Sequence, residues 1–290
     1  MSKKTKKKIS ERNESVELSP NGESLYVKFL GLKEFKKQVI FFHDVGEYHD
    51  RYLPFAKFLN EHKIGCTFID MRGHGLSSGT RGHVDDFHIF KSDYLKFWEV
   101  FESHYEDKEL VTIGHGVGCL VAMMFLLEKI EILGMALINP TVHFKKSKTF
   151  HIEELIGRSS IADKVKINAK FMGEDVTSEK NLAQNYDHDP LVNKKITVGM
   201  YKALLELFSS VKRSAYYINR PVFMALGLED RVVDREKSEL FASSIDENHL
   251  TLKKYKDLGH EFFNEIDRDN AFKDIYNWID KSFTHGNKNE

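Results

Sequence analysis

Three short segments follow one another in an order that suits nucleophilic chemistry: a glycine-rich turn GHGVG at 114–118, an aspartate in LEDRVVD (Asp230) and a histidine in DLGHEFFNE (His260). A carboxylate that orients an imidazole, which in turn acts on a group presented at a sharp turn, is the arrangement of acyl transfer through a covalent intermediate. Taken singly, Asp230 reads as a capping aspartate and His260 as a loop histidine. Their order gives them meaning, since each comes just after a β-rich run and so belongs in a loop at the carboxyl end of a strand. The turn itself lacks a nucleophile: Gly116 occupies the exposed position, flanked two residues away by Gly114 and Gly118. Two backbone N–H groups are expected to face a developing oxyanion, that of Val117 after the turn and that of Val45 in the loop FFHDVGEYHDRY.

The elements that must position these residues are legible as alternating strand and helix patterns. Runs at 38–43, 66–70, 110–114, 135–139 and 221–227 read as inner strands, 250–256 as a more exposed one, and 13–30 as an antiparallel pair turned at PNGE. Phe87, Phe90, Tyr94, Phe97, Phe101 and Tyr105 recur at helical spacing and predict a core-facing stripe. The rhythm breaks between 144 and 215, where lysine-rich turns and short helical pieces precede a helix with Met200, Ala203, Leu204, Leu207 and Val211 on one face. The predicted organisation is α/β, a mostly parallel central sheet flanked by helices. It divides into a disordered lysine-rich tail at 1–12, a core at 13–143 and 216–285, and an inserted helical cap at 144–215.

Composition narrows the function classes. The 290 residues carry a net charge of −1, with five lysines and no acid in the leader MSKKTKKK, so the rest is acidic and nucleic-acid binding is not expected. The leader reads as a solvated tail, with weak peripheral attraction to an anionic membrane, at ~1 kcal/mol per lysine, as its functional alternative. No apolar run reaches the ~18 residues of a membrane helix and the first residues lack a signal peptide's apolar stretch, which predicts a cytoplasmic protein. Cys66 and Cys119 lie in apolar segments and are expected as reduced core thiols. Cys119, three residues into a helix, should face packing. No metal and no cofactor are implied.

The segments HDVGEYHDRY, DMRGHGLSSGTRGHV (70–84), GHGVG, DPLV (189–192), GLEDRVVD and GHEFFNE, in order over residues 20 to 282, resemble the α/β-hydrolases of the monoacylglycerol lipase and lysophospholipase group. The resemblance implies a serine at 116, Asp230 as acid, His260 as base, oxyanion amides at Val45 and Val117, and a cap over an acyl-chain tunnel. Apolar cap residues Phe144, Phe150, Leu155, Ile156 and Met172 are the expected lining, and a small apolar acyl ligand the expected partner. Three departures surround one site: Gly116 for the serine, Asp44 for the glycine of the family's H-G pair, and Cys119 for a small residue. Losing a triad nucleophile costs about 10⁶ in kcat, so an ordinary ~10 s⁻¹ enzyme falls to about one turnover per day. The expectation is therefore a pseudo-hydrolase that binds an acyl-glycerol or lysolipid. The alternatives are an active serine ester hydrolase carrying an introduced glycine at 116, and a hydrolase in which Asp230 and His260 activate water. An inward Asp44 would oppose an oxyanion by its charge, and the turn predicts a cost of about 1 kcal/mol for Gly116→Ala through its positive φ.

Overall fold

A computed structural model describes residues 9–18, 22–143, 163–168, 172–213 and 215–286. The β-branched and aromatic runs form an eight-stranded sheet in the order β1-β2-β4-β3-β5-β6-β9-β10. Its strands are β1 (Glu11–Glu17), β2 (Ser24–Leu30), β3 (Lys37–Phe42), β4 (Ile64–Ile69), β5 (Glu109–His115), β6 (Gly134–Ile138), β9 (Val222–Gly227) and β10 (Leu250–Tyr255). From β4 to β10 all neighbours are parallel, while β1 and β2 add an antiparallel edge. Glu11 and Arg12, within the 1–12 tail expected after the lysine-rich leader, are the first residues of β1. An exposed edge strand is held by its backbone ladder to β2, and a mostly polar strand leaves little apolar signal.

Period-two alternation sends Val39 and Phe41 of β3 into one core and Ile40 and Phe42 into the other. The first core also receives α1 (Leu53–Glu61) and the C-terminal helix Asp269–Gly286; the second receives α2 (Phe87–Phe101) and α3 (Gly118–Leu127). Of the predicted aromatic stripe, Phe90, Tyr94, Phe97, Phe101 and Tyr105 are buried. The strand β10 is the exposed one, as its lysines suggest.

Between β6 and β9 the described chain forms the antiparallel pair β7 (Lys166–Asn168) and β8 (Lys195–Thr197), with helices at Gly173–Val176, Lys180–His188 and Val198–Lys212. Met200, Ala203, Leu204, Leu207 and Val211 are buried on the last of these. Phe144, Phe150, Leu155 and Ile156 lie outside the described residues, and Met172 is 44% exposed at the start of the Gly173 helix. Among the described residues no helix is long and apolar enough to cross a membrane.

Strand ends at the carboxyl edge are tied together by Asn139, which follows β6 with φ +43°. Its Oδ1 accepts from Gly227 N–H at 2.7 Å and its Nδ2 donates to Gly259 O at 3.0 Å, so one side chain links the end of β9 to the loop after β10. Asn139→Ala should therefore lower stability by about 2–4 kcal/mol, from a buried donor left unpaired and a β-carbon at positive φ without a side-chain bond to hold it. Asn139→Gly, which is free of the backbone strain, should lose less in urea unfolding; equal losses would mean that the hydrogen bonds alone matter.

Candidate active site

The turn between β5 and α3 is as tight as its glycines suggest. A β-carbon on Gly118 would stand 2.1 Å from Phe42 O, and one on Gly114 would stand 2.4 Å from Cys119 N, so side chains are excluded on both sides of the elbow. Gly116 has φ +54° and tops the turn. Asp230 follows β9 and His260 follows β10, and the sheet brings them together: His260 Nδ1 donates to Asp230 Oδ2 at 2.8 Å. The other Asp230 oxygen accepts from the N–H groups of Val232 and Val233 at 2.7 and 2.9 Å. Burial raises the Asp230 carboxyl, but His260 and these amides outweigh it and hold the group below its ordinary range.

The position above Gly116 is filled by Asp44. Its Oδ1 accepts from Val45 N–H at 2.7 Å and from Val117 N–H at 2.6 Å, the two donors the sequence predicts for an oxyanion. Its Oδ2 accepts from His260 Nε2 at 2.8 Å. One carboxylate thus holds three donors at once, with one oxygen between the Val45 and Val117 amides and the other against His260. Each ring nitrogen of His260 faces a carboxylate oxygen, and with Asp230 and Asp44 both ionised each nitrogen carries hydrogen and the ring is an imidazolium. Burial works against that charge, yet Asp230 and Asp44 together lift the His260 pKa well above its ordinary value.

Steric exclusion adds to the expected charge effect. A β-carbon on Gly116 would lie 2.0 Å from Asp44 Cγ and 2.2 Å from both carboxylate oxygens. Asp44 and a side chain at 116 cannot share this space in the present loop conformation. Besides the cost of about 1 kcal/mol or a little more expected from its φ, Gly116→Ala must therefore also displace a triply bonded carboxylate.

A network that the sequence reading missed holds Asp44 in place. His43 Nε2 accepts from Met71 N–H at 2.8 Å while its Nδ1 donates to Asp44 O at 2.7 Å, which fixes a neutral ring; burial lowers its pKa accordingly. Asp44 N–H donates to Tyr52 Oη at 3.1 Å, and that hydroxyl donates to Glu47. Arg51 Nη2 pairs with Glu261 at 2.6 Å, joining the oxyanion loop to the residue after the histidine. Burial disfavours charge on both acids. His115 and Arg51 nevertheless hold Glu47 well below its usual range, whereas burial and the charge of Glu47 push Glu261 up. The loop is latched from the DPLV side too, since Asn193 N–H donates to Gly46 O at 2.7 Å. Spacing within HDVGEYHDRY and GHEFFNE was the available signal: Glu47, Arg51 and Tyr52 lie within six residues of one another and Glu261 adjoins the histidine.

Cys119 is fully buried and its thiol donates to Gly114 O at 3.2 Å. Burial, then the charge of Asp44, raise its pKa well above the ordinary thiol value, which suits packing and not attack. Among the described residues no group of histidine, cysteine and acidic side chains is arranged to hold a metal.

Known proteins share this architecture. The family described as "Serine aminopeptidase, S33" matches residues 33–267. The chain is similar to the monoglyceride lipase of Homo sapiens, 25% identical over 272 residues that cover 90% of this chain and 88% of that one. It is similar also to Phospholipase YtpA of Bacillus subtilis, 22% identical over 240 residues covering 81% and 92%. Among solved structures, a soluble variant of monoglyceride lipase from Saccharomyces cerevisiae in complex with a substrate analog superposes with a TM-score of 0.80 at 21% identity, covering 96% of this chain and 97% of the other.

The charge pair makes a signed prediction. A histidine whose folded pKa is raised contributes stability that is fully present below its unfolded value, about 6.5, and is lost as pH rises through the folded value. Asp44→Asn should remove part of that contribution. The wild type should exceed the variant by about 2–4 kcal/mol near pH 6, with the gap narrowing as pH rises toward the raised folded value of His260. Urea unfolding across pH 6–10 measures it, and a constant gap would mean that folded His260 is neutral.

Proposed function

The chain belongs to the serine aminopeptidase S33 family of α/β-hydrolases, and from that premise we propose that it is a lipase-like homologue that no longer hydrolyses esters and instead binds an acyl-glycerol or lysolipid. The observation that carries this reading is the carboxylate of Asp44, bound where a serine oxygen and its oxyanion would both have to stand. An ester carbonyl needs the pocket formed by Val45 and Val117, and that pocket is taken.

The same observation weighs against the two alternatives. An active enzyme with serine at 116 would place its β-carbon 2.0 Å from Asp44 Cγ, so glycine and aspartate at these positions fit as a pair and not as one isolated change. Activation of water by His260 needs a free Nε2 lone pair, whereas Nε2 carries hydrogen and donates to Asp44. The ligand class follows from the names of the similar proteins, monoglyceride lipases and a phospholipase, together with the apolar residues of the 144–215 segment, which we take as the cap. The lysine leader adds a weak attraction to anionic lipid surfaces, and the compartment that fits is the cytoplasm.

A fluorophosphonate probe should leave the wild type unlabelled, and its hydrolysis of p-nitrophenyl butyrate should match that of His260→Ala. Gly116→Ser should gain little, because the serine must first displace Asp44. Gly116→Ser with Asp44→Gly should exceed either single variant by about 10² or more in kcat/KM, the worth of one restored oxyanion donor. Mass spectrometry of lipid extracted from the purified protein should find a single-chain acyl species. A labelled serine, or wild-type ester turnover above His260→Ala, would sink the reading.

A further inference from the structure

A carboxylate held in this way has a chemistry of its own. Asp44 Oδ1 sits between two backbone donors, so negative charge arising on that oxygen, when something adds to Cγ, is already solvated. Asp44 Oδ2 faces an acid, His260 Nε2–H at 2.8 Å, whose far side is anchored to Asp230. The backbone that carries Asp44 is fixed on both sides, through its carbonyl to His43 and through its N–H to Tyr52. These are the parts of a covalent cycle in which the nucleophile is the carboxylate and the imidazolium is both first acid and later base.

We propose that Asp44 is itself a nucleophile, opening a strained cyclic ether of the epoxide class through a covalent ester on its carboxylate. Oδ2 attacks a ring carbon, the ring C–O bond breaks, and the alkoxide takes the Nε2 proton of His260. This leaves a hydroxyalkyl ester on Asp44 and a neutral imidazole. His260 then takes a proton from water as the hydroxide adds to Cγ, and Oδ1 carries the negative charge between Val45 and Val117. Collapse expels the diol, which keeps the former Oδ2 and takes a proton back from His260. The carboxylic acid left on Asp44 returns its proton to the imidazole. One epoxide and one water give one diol, and Asp44 and His260 return to their starting charges.

Proton accounting selects the substrate class. A serine site must begin with a neutral histidine, whereas this site begins with a protonated one, so its first step should consume a proton. Opening a cyclic ether does so and leaves the base that the second step needs. Expulsion of halide would not, since halide carries no proton away and His260 would stay charged. Attack of a carboxylate on an ester would have to form an anhydride, which is more reactive than the ester it came from. The inference uses the same site as the proposed function and shares its loss of serine chemistry, but it does not depend on the lipid ligand.

The test uses the full-length wild type with 1,2-epoxybutane and 1,2-epoxydodecane in oxygen-18 water, reading diol by gas chromatography with mass detection and the Asp44 peptide by mass spectrometry. The expected result is diol formation at least about tenfold above that of Asp44→Asn. In a single turnover the diol should keep ordinary oxygen while oxygen-18 enters Asp44, and an acid quench should trap an adduct of the epoxide's mass on that residue. Absence of diol above the Asp44→Asn background with both probes overturns the proposal. So does diol whose first-turnover oxygen comes from solvent while Asp44 stays unlabelled. Should Asp44→Asn fail to fold, the oxygen pattern of the wild type decides alone. A negative result here leaves the ester and lipid measurements standing, whereas a fluorophosphonate-labelled serine defeats the earlier reading without touching the epoxide result.

Discussion

Because the space above Gly116 holds one group and Asp44 has it, the loop after β3, the elbow and the histidine loop form a single bonded unit. The contact between Asp44 and His260 spans 216 positions of sequence and closes over the carboxyl edge of the sheet. Removing either partner would leave an ion in a site where both side chains are about 2% exposed, and an unpaired buried charge costs several kcal/mol. With both present, three groups of alternating sign stand in line, carboxylate, imidazolium, carboxylate. Four backbone N–H groups supply the rest of the solvation that water would otherwise provide, two from Val45 and Val117 and two from Val232 and Val233.

That unit explains why the surrounding motifs hang together. Glu47, Arg51 and Tyr52 sit behind the oxyanion loop, and Arg51 reaches Glu261 beside His260, so the loop bearing Asp44 and the loop bearing His260 are tied at a second point. Asp70 does the same for the 70–84 segment: its carboxylate accepts from His49 N–H and Leu76 N–H, both at 2.9 Å. Each motif is a set of partners for another motif. Their distances along the chain are large, but all except DPLV follow a strand of the parallel part of the sheet, which is why the sheet can assemble them.

Much of this was legible before the fold was known. The strands announced themselves by β-branched runs, and the order elbow, acid, base placed Asp230 and His260 at strand ends where they do meet. The N–H groups of Val45 and Val117 were legible as a pair of donors because they depend on backbone position alone. The direction of Asp44 was not. Pattern can say that a carboxylate replaces a glycine, but whether it turns inward depends on a loop backbone fixed by His43 and Tyr52 through contacts that no local spacing reports. The antiparallel pair at 13–30 was legible too, and only the start of β1 at Glu11 and Arg12 escaped, since two polar residues held by a backbone ladder leave no apolar signal.

Asp230 and His260 then have a physical role in this chain that needs no serine at 116. Together they neutralise the carboxylate that stands above Gly116. Asp230 is needed because one carboxylate beside a buried imidazolium leaves the second ring N–H without an acceptor, and His260 is needed because Asp44 would otherwise be an anion supported only by two amides. A substitution at either position would therefore be felt in stability first and in any chemistry second. Glycine at 116 belongs to the same requirement, since it alone leaves room for the carboxylate that the dyad now serves. The acid, the base, the aspartate and the glycine are thus four parts of one solvation problem, and a change at any one of them alters what the other three must be.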